Sequence, residues 1–429
     1  MAEFSNKTMG HLNDELSESL RQVTLNDAER PGETDDDTQT SDEGGESLHR
    51  TLFAECEAYK EGTCAQGEIC GRKQHHHVSF PSGSNWETHN MKRLRFKSIP
   101  LHIDINKPVV EIICSWLMDN GDIDDKHLPN YPATDKNDSS FAAGATTKAQ
   151  YRQLLSRHIK EGIQGDYFMA IVFQFASKFD LEGDRMKRLL EAAATLDEND
   201  EYIKSNKKYQ TVIINWLVTI KEHRNKTLCA AYIDHLAAHL IELAANETNC
   251  HVVTRIREAT ARTLTVCGQD ITVQCDIEVQ AIDGAHVLQV ITTSENKVLK
   301  TQMDVEKMLP QITREALAVA PITPFGNDYY NTVYQISVHS VYCKEEKTTY
   351  CHIFLVKCYV SVNTLARMHR CPLETPFEPS YVMYQRVEGL QLQDPDFLLF
   401  VYQAFKAVML AFKGVNLGEM SRRRLHRKK

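Results

Sequence analysis

Cys56, Cys64 and Cys70 are separated by seven and five intervening residues and run into His75-His76-His77. Cysteine thiolates and histidine nitrogens are the ligands zinc takes in a closed tetrahedral site. Gly62 and Gly67 lie between the cysteines and suit the tight turns such a site needs. A bound ion lets a segment too short to bury a core fold at all. The spacing therefore predicts a Zn2+ site with three cysteine ligands and a fourth from the histidine cluster.

The stretch 50–77 resembles the CCCH-type zinc fingers, whose usual spacings are seven or eight, five and three. Tyr59 stands where that family often has an aromatic, and the segments YKEGTC and GEIC are similar to family sequence. A spacing of three after Cys70 falls on Gln74, which is not a zinc ligand, and the next residue is His75. The resemblance implies Cys56, Cys64, Cys70 and His75 as the metal set, with His76 or His77 able to substitute through a small loop change. The family usually binds single-stranded RNA by base stacking and hydrogen bonds to base edges. Tyr59 would then stack on a base, and Lys60, Arg72 and Lys73 would contact RNA. Arg72 occupies a second aromatic position of the family, and an arginine can both stack and meet phosphate. Glu57, Glu61 and Glu68 weaken the local field, so affinity must also come from elsewhere. The run 91–97, MKRLRFK, is read as a basic strand that adds Lys92, Arg93, Arg95 and Lys97 to the phosphate contacts. Its plainer reading is an edge strand whose charges face solvent.

The elements around these residues predict an α+β multidomain chain: a small CCCH-like zinc finger, a central α-helical region and a C-terminal mixed α/β domain. Residues 1–49 form an acidic leader with too few apolar residues to order itself. The finger spans 50–78. Residues 79–146 hold the basic strand, a helix opening at Asn106-Lys107-Pro108 and a linker. Residues 147–248 read as helices over 147–162, 166–179, 185–196, 206–222 and 227–245. Residues 249–415 carry a further helical segment at TRIREATARTLTV, then two strands joined at Asp283-Gly284. A helix around Pro310, two long strands around KEEK and an apolar C-terminal helix over 393–413 follow. Residues 416–429 are a basic tail.

Charge follows the same partition. Residues 1–50 hold 13 acids and 4 Lys or Arg, a sum of −9 that equals the net charge of the whole chain. The last nine residues contribute +6, so residues 51–420 sum to −6. No run of apolar residues is long enough for a membrane span, and the N-terminus lacks a secretory pattern. A cytoplasmic or nuclear protein with reduced cysteines is expected.

Three other constellations carry possible chemistry. His235 and His239, with Glu242, share one face of a helix at metal-ligand spacing, though a hydrogen-bonded pair explains them equally. Cys343, Cys351, Cys358, His369 and Cys371 suggest a second zinc site, but strand alternation already accounts for the first three. The layout from Glu258 through Asp276 to Gln289 resembles PD-(D/E)XK nucleases, which hold a metal with two acids and set a lysine beside it. In that alignment Gln289-Val290-Ile291 puts Ile291 at the lysine position, which predicts a degenerate site. The expected function is a zinc-dependent, non-enzymatic protein of post-transcriptional regulation. It would contact single-stranded RNA through the finger and a protein partner through its body. The alternatives are a zinc-stapled interaction scaffold and a degenerate nuclease domain tethered to a finger.

Overall fold

Two segments of alternating β-branched and aromatic residues build the centre of the molecule. Strand β8 (Tyr330–Cys343) and strand β9 (Thr348–Ser361) pair antiparallel along their whole length, from Tyr330 opposite Ser361 to Cys343 opposite Thr348. Both are covered on both faces over most of that length, rather than exposed on one.

The computed structural model describes residues 80, 86–129, 147–160, 212, 215–216, 219, 230–266, 269–282, 288–299, 305–343, 346, 348–368, 377–392 and 395–413. Among these, the fold is α+β. In chain order come α1 (Thr88–Arg93), β1 (Phe96–Pro100), α2 (Val109–Met118), α3 (Lys148–Lys160) and α4 (Ala230–Thr248). Then come β2 (Val252–Ile256), β3 (Arg262–Val266), β4 (Gln269–Val273), β5 (Ile277–Ile282), β6 (Leu288–Ser294) and β7 (Lys297–Leu299). Helix α5 (Val305–Val319) precedes β8 and β9, and α6 (Val362–Arg367), β10 (Ser380–Gln391) and α7 (Pro395–Phe412) follow.

One mixed sheet of eight strands runs in the order β1-β10-β9-β8-β6-β5-β2, with β7 also pairing β8. Strands β2, β5 and β6 form an antiparallel meander, and α5 then crosses over so that β8 runs parallel to β6 and β7. One face is covered by α2, α3, α4 and α7, whose apolar residues join Trp116, Trp216 and Tyr334 in one core. Trp216 is anchored by its indole N–H, which donates to the Leu392 carbonyl at 2.6 Å. The other face is covered by α5, with α1 and the separate hairpin β3–β4 packed outside it. No helix among the described residues is long and apolar enough to cross a membrane.

Several expectations are corrected. TRIREATARTLTV is not helical: it forms β2, a short 3-10 turn (Arg257–Thr260) and β3. Its threonines, isoleucine and valine suit strands, and pairing with β5 and β4 decides the outcome. The basic run is not one strand, because its first half closes α1 and the sheet begins only at Phe96. Arg95 turns the chain between them at φ 56°. Pro108, not Asn106, sits at the cap of α2, while Asn106 hydrogen-bonds Asp104. Helix α5 runs unbroken through Pro310. The leader, finger, tail and Asp283-Gly284 turn lie outside the described residues, as do the helices expected over 166–179 and 185–196.

A buried lysine joins the sheet to α2. Lys357 of β9 has no solvent exposure. Its ammonium donates to the carbonyls of Leu117 at 3.3 Å and Asp119 at 2.7 Å, and to Asn120 Oδ1 at 3.3 Å. The last carbonyls of a helix have no partner within it, so the lysine acts as their cap. Burial lowers its pKa from 10.5 to about 7. The unfolded lysine stays charged up to its ordinary pKa, so stability should rise with pH between about 7 and 10.5. Lys357→Met leaves buried carbonyls unpaired and should cost about 2–4 kcal/mol by urea unfolding, with the rise above pH 7 diminished.

Candidate active site

The most concentrated chemistry among the described residues lies where β5, β6 and β7 meet α4 and α5. Asp276 precedes β5, Glu295-Asn296-Lys297 bridges β6 and β7, Asp234 lies on α4, and Gln311 and Glu315 lie on α5. Strand alternation divides the three bridging residues. Glu295 and Lys297 turn toward α5, where Lys297 Nζ donates to Gln311 Oε1 at 2.7 Å and lies 3.3 Å from Glu295 Oε1. Asn296 turns toward α4, where its side-chain amide donates to Asp234 Oδ1 at 2.9 Å. Its backbone N–H donates to Asp276 Oδ2 at 2.7 Å, and its Oδ1 accepts from Ser294 Oγ and from the Val338 N–H.

Helix α5 supplies the second wall. Gln311 and Glu315, four apart, share one helix face. The Gln311 amide donates to Glu295 and, at 3.1 Å, to Glu315 Oε1. Gln335 of β8 donates to Glu315 Oε2 at 2.5 Å. Two further carboxylates are neutralised by arginine: Arg257 pairs with Asp234 at 2.9 Å and Arg262 with Glu278 at 2.6 Å.

Burying this many acids disfavours their charged forms. Burial raises Asp234 to about 6, helped by the neighbouring Asp276 charge and opposed by Asn296 and Arg257. Burial also raises Asp276, against the hydrogen bond from the Asn296 N–H and the charges of Arg257 and Lys297. Glu295 is pushed well above the usual range by burial and by the charges of Glu315 and Asp276. Burial raises Glu315 to about 7. The Asp276 and Glu295 carboxyls disfavour each other's charge, a repulsion that a shared proton or a bound cation would relieve.

The donor set suits a hard divalent ion. No three His, Cys, Asp or Glu side chains among the described residues form a ready-made metal cage. Mg2+ seldom needs one, because it uses one or two carboxylates and completes its octahedron with water and substrate phosphate oxygens. Asp276 and Glu295 match that requirement. Such a site would exchange protons for metal, so affinity should rise with pH.

The other sequence candidates fare differently. Lys92 and Lys97 are exposed, on α1 and β1. Arg93 is only 6% exposed, its guanidinium 5.2 Å from the centre of the Phe80 ring. Arg95 donates to the Phe377 carbonyl at 2.9 Å. His239 lies 3.9 Å from Glu242, while His235 is exposed. Cys351 and Cys358 are buried in opposite cores, and Cys343 is half-buried at the end of β8. Cys56, Tyr59, Lys60, Cys64, Cys70, Arg72, Lys73 and His75 lie outside the described residues, as do His369 and Cys371.

The expected alignment of the nuclease-like segment is corrected by register. Val290 and Ile291 are core residues, and Gln289 is a β6 residue paired with Ala281. The acid–spacer–lysine sequence beside Asp276 is Glu295-Asn296-Lys297. Glu258 belongs to the 3-10 turn, and the helix acid at the centre is Asp234. The signal was present in the sequence, but SENK has turn-like composition and follows a strand that already seemed complete. Comparisons with protein-family models, curated proteins and solved structures find no match to this chain.

The raised pKa of Glu315 has a measurable consequence. Between 4.5 and about 7 the folded carboxyl holds a proton that the unfolded one has lost, so this group's stabilisation declines as pH rises through that window. Glu315→Gln should flatten the decline and raise stability at pH 8 by about 1–3 kcal/mol in denaturant titrations. The Gln335 amide can turn to serve the substituted side chain, because its Oε1 has no partner.

Proposed function

We propose that this protein is a divalent-metal-dependent nuclease of the PD-(D/E)XK kind that acts on RNA. The observation that carries the reading is Lys297 beside Glu295, with Asp276 held next to them by the backbone N–H of Asn296. The arrangement is similar to that family's pattern of two acids with an adjacent lysine, and it supports an intact set of groups where sequence alignment suggested a degenerate one.

Asp276 and Glu295 would hold the ion, which supplies Lewis-acid polarisation of a phosphoryl oxygen and a more acidic bound water. Lys297 places an ammonium at the open side of the centre, with its side chain 25% exposed. There it stabilises the negative charge that develops on phosphate oxygens during displacement. Gln311 fixes both Lys297 and Glu295 through the two ends of one amide. Asn296 holds Asp276 and Asp234 in place, and Arg257 offsets the charge of Asp234. Glu315, with a pKa near neutrality, can take up or release a proton at working pH.

The choice of RNA rests on the sequence. Zn2+ bound by Cys56, Cys64, Cys70 and His75 would shape a finger whose Tyr59, Lys60, Arg72 and Lys73 contact single-stranded RNA. In this reading the finger selects the strand and the α+β body cuts it.

The experiment is cleavage of end-labelled single-stranded RNA and DNA by the full chain with Mg2+ or Mn2+. Cleavage should require the ion and stop with EDTA. Lys297→Ala should slow it about 10²–10³-fold while leaving thermal unfolding cooperative. If the wild-type chain cuts neither nucleic acid with either ion, the nuclease reading fails and a non-enzymatic RNA-binding role remains.

A further inference from the structure

Arg314 lies on α5 between Gln311 and Glu315, three positions after the first and one before the second. It is 3% exposed. An arginine remains charged in a protein whatever its burial, and its planar fork carries five N–H donors. Yet Nε and Nη1 of Arg314 have no hydrogen-bond partner. The nearest opposite charges are engaged with other groups. Glu315 accepts from Gln311 and Gln335, and Glu295 accepts from Gln311 and faces Lys297. Arg314 feels the field of both carboxylates but bonds to neither.

The opposing sheet shows the same kind of unmet capacity. Thr293 and Ser337 are fully buried, and neither hydroxyl oxygen has a partner of its own. Thr293 stands in register with Glu278 on one side and with Gln335, the residue that holds Glu315, on the other. Buried polar groups in folded proteins are nearly always satisfied, and a buried unpaired charge is among the costliest exceptions. A buried arginine with open N–H groups, on the helix that packs against the strand carrying Ser337, describes a receptor for an oxyanion. A fork of parallel N–H groups matches phosphate.

We propose that Arg314 is a phosphate-binding residue, whose unused N–H groups take an anionic oxygen of a phosphodiester or of the terminal phosphate that its cleavage leaves. The identity of the anion rests on the nuclease reading, whereas the unused N–H groups of Arg314 do not. Glu295 interacts with both Lys297 of the sheet and Arg314 of the helix, so the two cations serve one neighbourhood.

Binding and stability both test this. With no Mg2+ or Mn2+ added, so that nothing is cut while the finger keeps its zinc, affinity for inorganic phosphate and for a short single-stranded oligoribonucleotide is measured by calorimetry on the full chain. Arg314→Gln should weaken both about tenfold, and Arg314→Lys should retain part of the affinity. Weakening for phosphate alone would assign the site to free phosphate, and weakening for the oligonucleotide alone to the phosphodiester. Without anion, Arg314→Met should melt at or above the wild-type temperature, because it removes an unpaired buried charge. Phosphate should raise the melting temperature of the wild type only.

The proposal is overturned if Arg314→Gln binds both ligands as tightly as the wild type. It is also overturned if Arg314→Met melts lower and phosphate stabilises both chains equally. The two readings fail separately. A chain that cuts nothing but binds phosphate through Arg314 loses the nuclease assignment alone. A chain that cuts RNA with Arg314→Gln unaltered in phosphate affinity and turnover loses the Arg314 assignment alone.

Discussion

Like charges removed from water must be compensated, and in this protein that constraint falls on one place. Asp234, Asp276, Glu278, Glu295 and Glu315 converge where the meander meets α4 and α5, and burial pushes four of them toward their protonated forms. Arg257 and Arg262 neutralise Asp234 and Glu278 from the rim. The other three share Lys297, Gln311, Gln335 and Asn296, none of which can be removed without leaving a buried oxygen unpaired. The step from β6 to β7 makes this possible, because three consecutive residues reach opposite sides of the sheet. A fold stabilised only for packing would gain by replacing such a network with apolar residues. Its position at the junction of central strands, rather than on a loop, suits a site that must hold charges in fixed geometry.

The sheet that carries the network is rigid for separate reasons. The β8–β9 pair is sealed on both faces, and Lys357 ties it to the end of α2 on the face away from Glu315. On the same face as Lys357, Glu247 receives Tyr402 and Lys406 of α7, so α4 and α7 are also joined by charge. Asp234 therefore sits on a helix fixed by its neighbours, while Gln311 and Glu315 sit on a crossover helix held between the sheet and the β3–β4 hairpin.

Much of this was legible in sequence where periodicity was strong. The two long strands around KEEK, the apolar C-terminal helix and the helix containing Trp116 all follow from residue pattern. The pattern failed where pairing partners lay far away. TRIREATARTLTV has arginines and alanines that favour a helix, yet β5 and β4 draw it into strands. The basic run read as one strand because its charges alternate, but Arg93 packs under Phe80 and Arg95 turns the chain. At the site, Asp276 was recognisable as a strand acid. Glu295 and Lys297 were not, because a gap between two strands separates them from any periodic segment. Asp234 and Gln311 carry no signal in sequence at all, since only tertiary packing brings their helices to the same point.

A bound divalent ion would relieve this burden of like charge, because carboxylates pushed toward their protonated forms can exchange those protons for a cation. The direct measurement is the anomalous diffraction of Mn2+ soaked into crystals of the full chain. The account predicts a peak between Asp276 and Glu295, with carboxylate oxygens roughly 2.0–2.3 Å away, that disappears in Asp276→Asn. Crystals that take up Mn2+ only elsewhere, or a peak that survives the loss of Asp276, would contradict it.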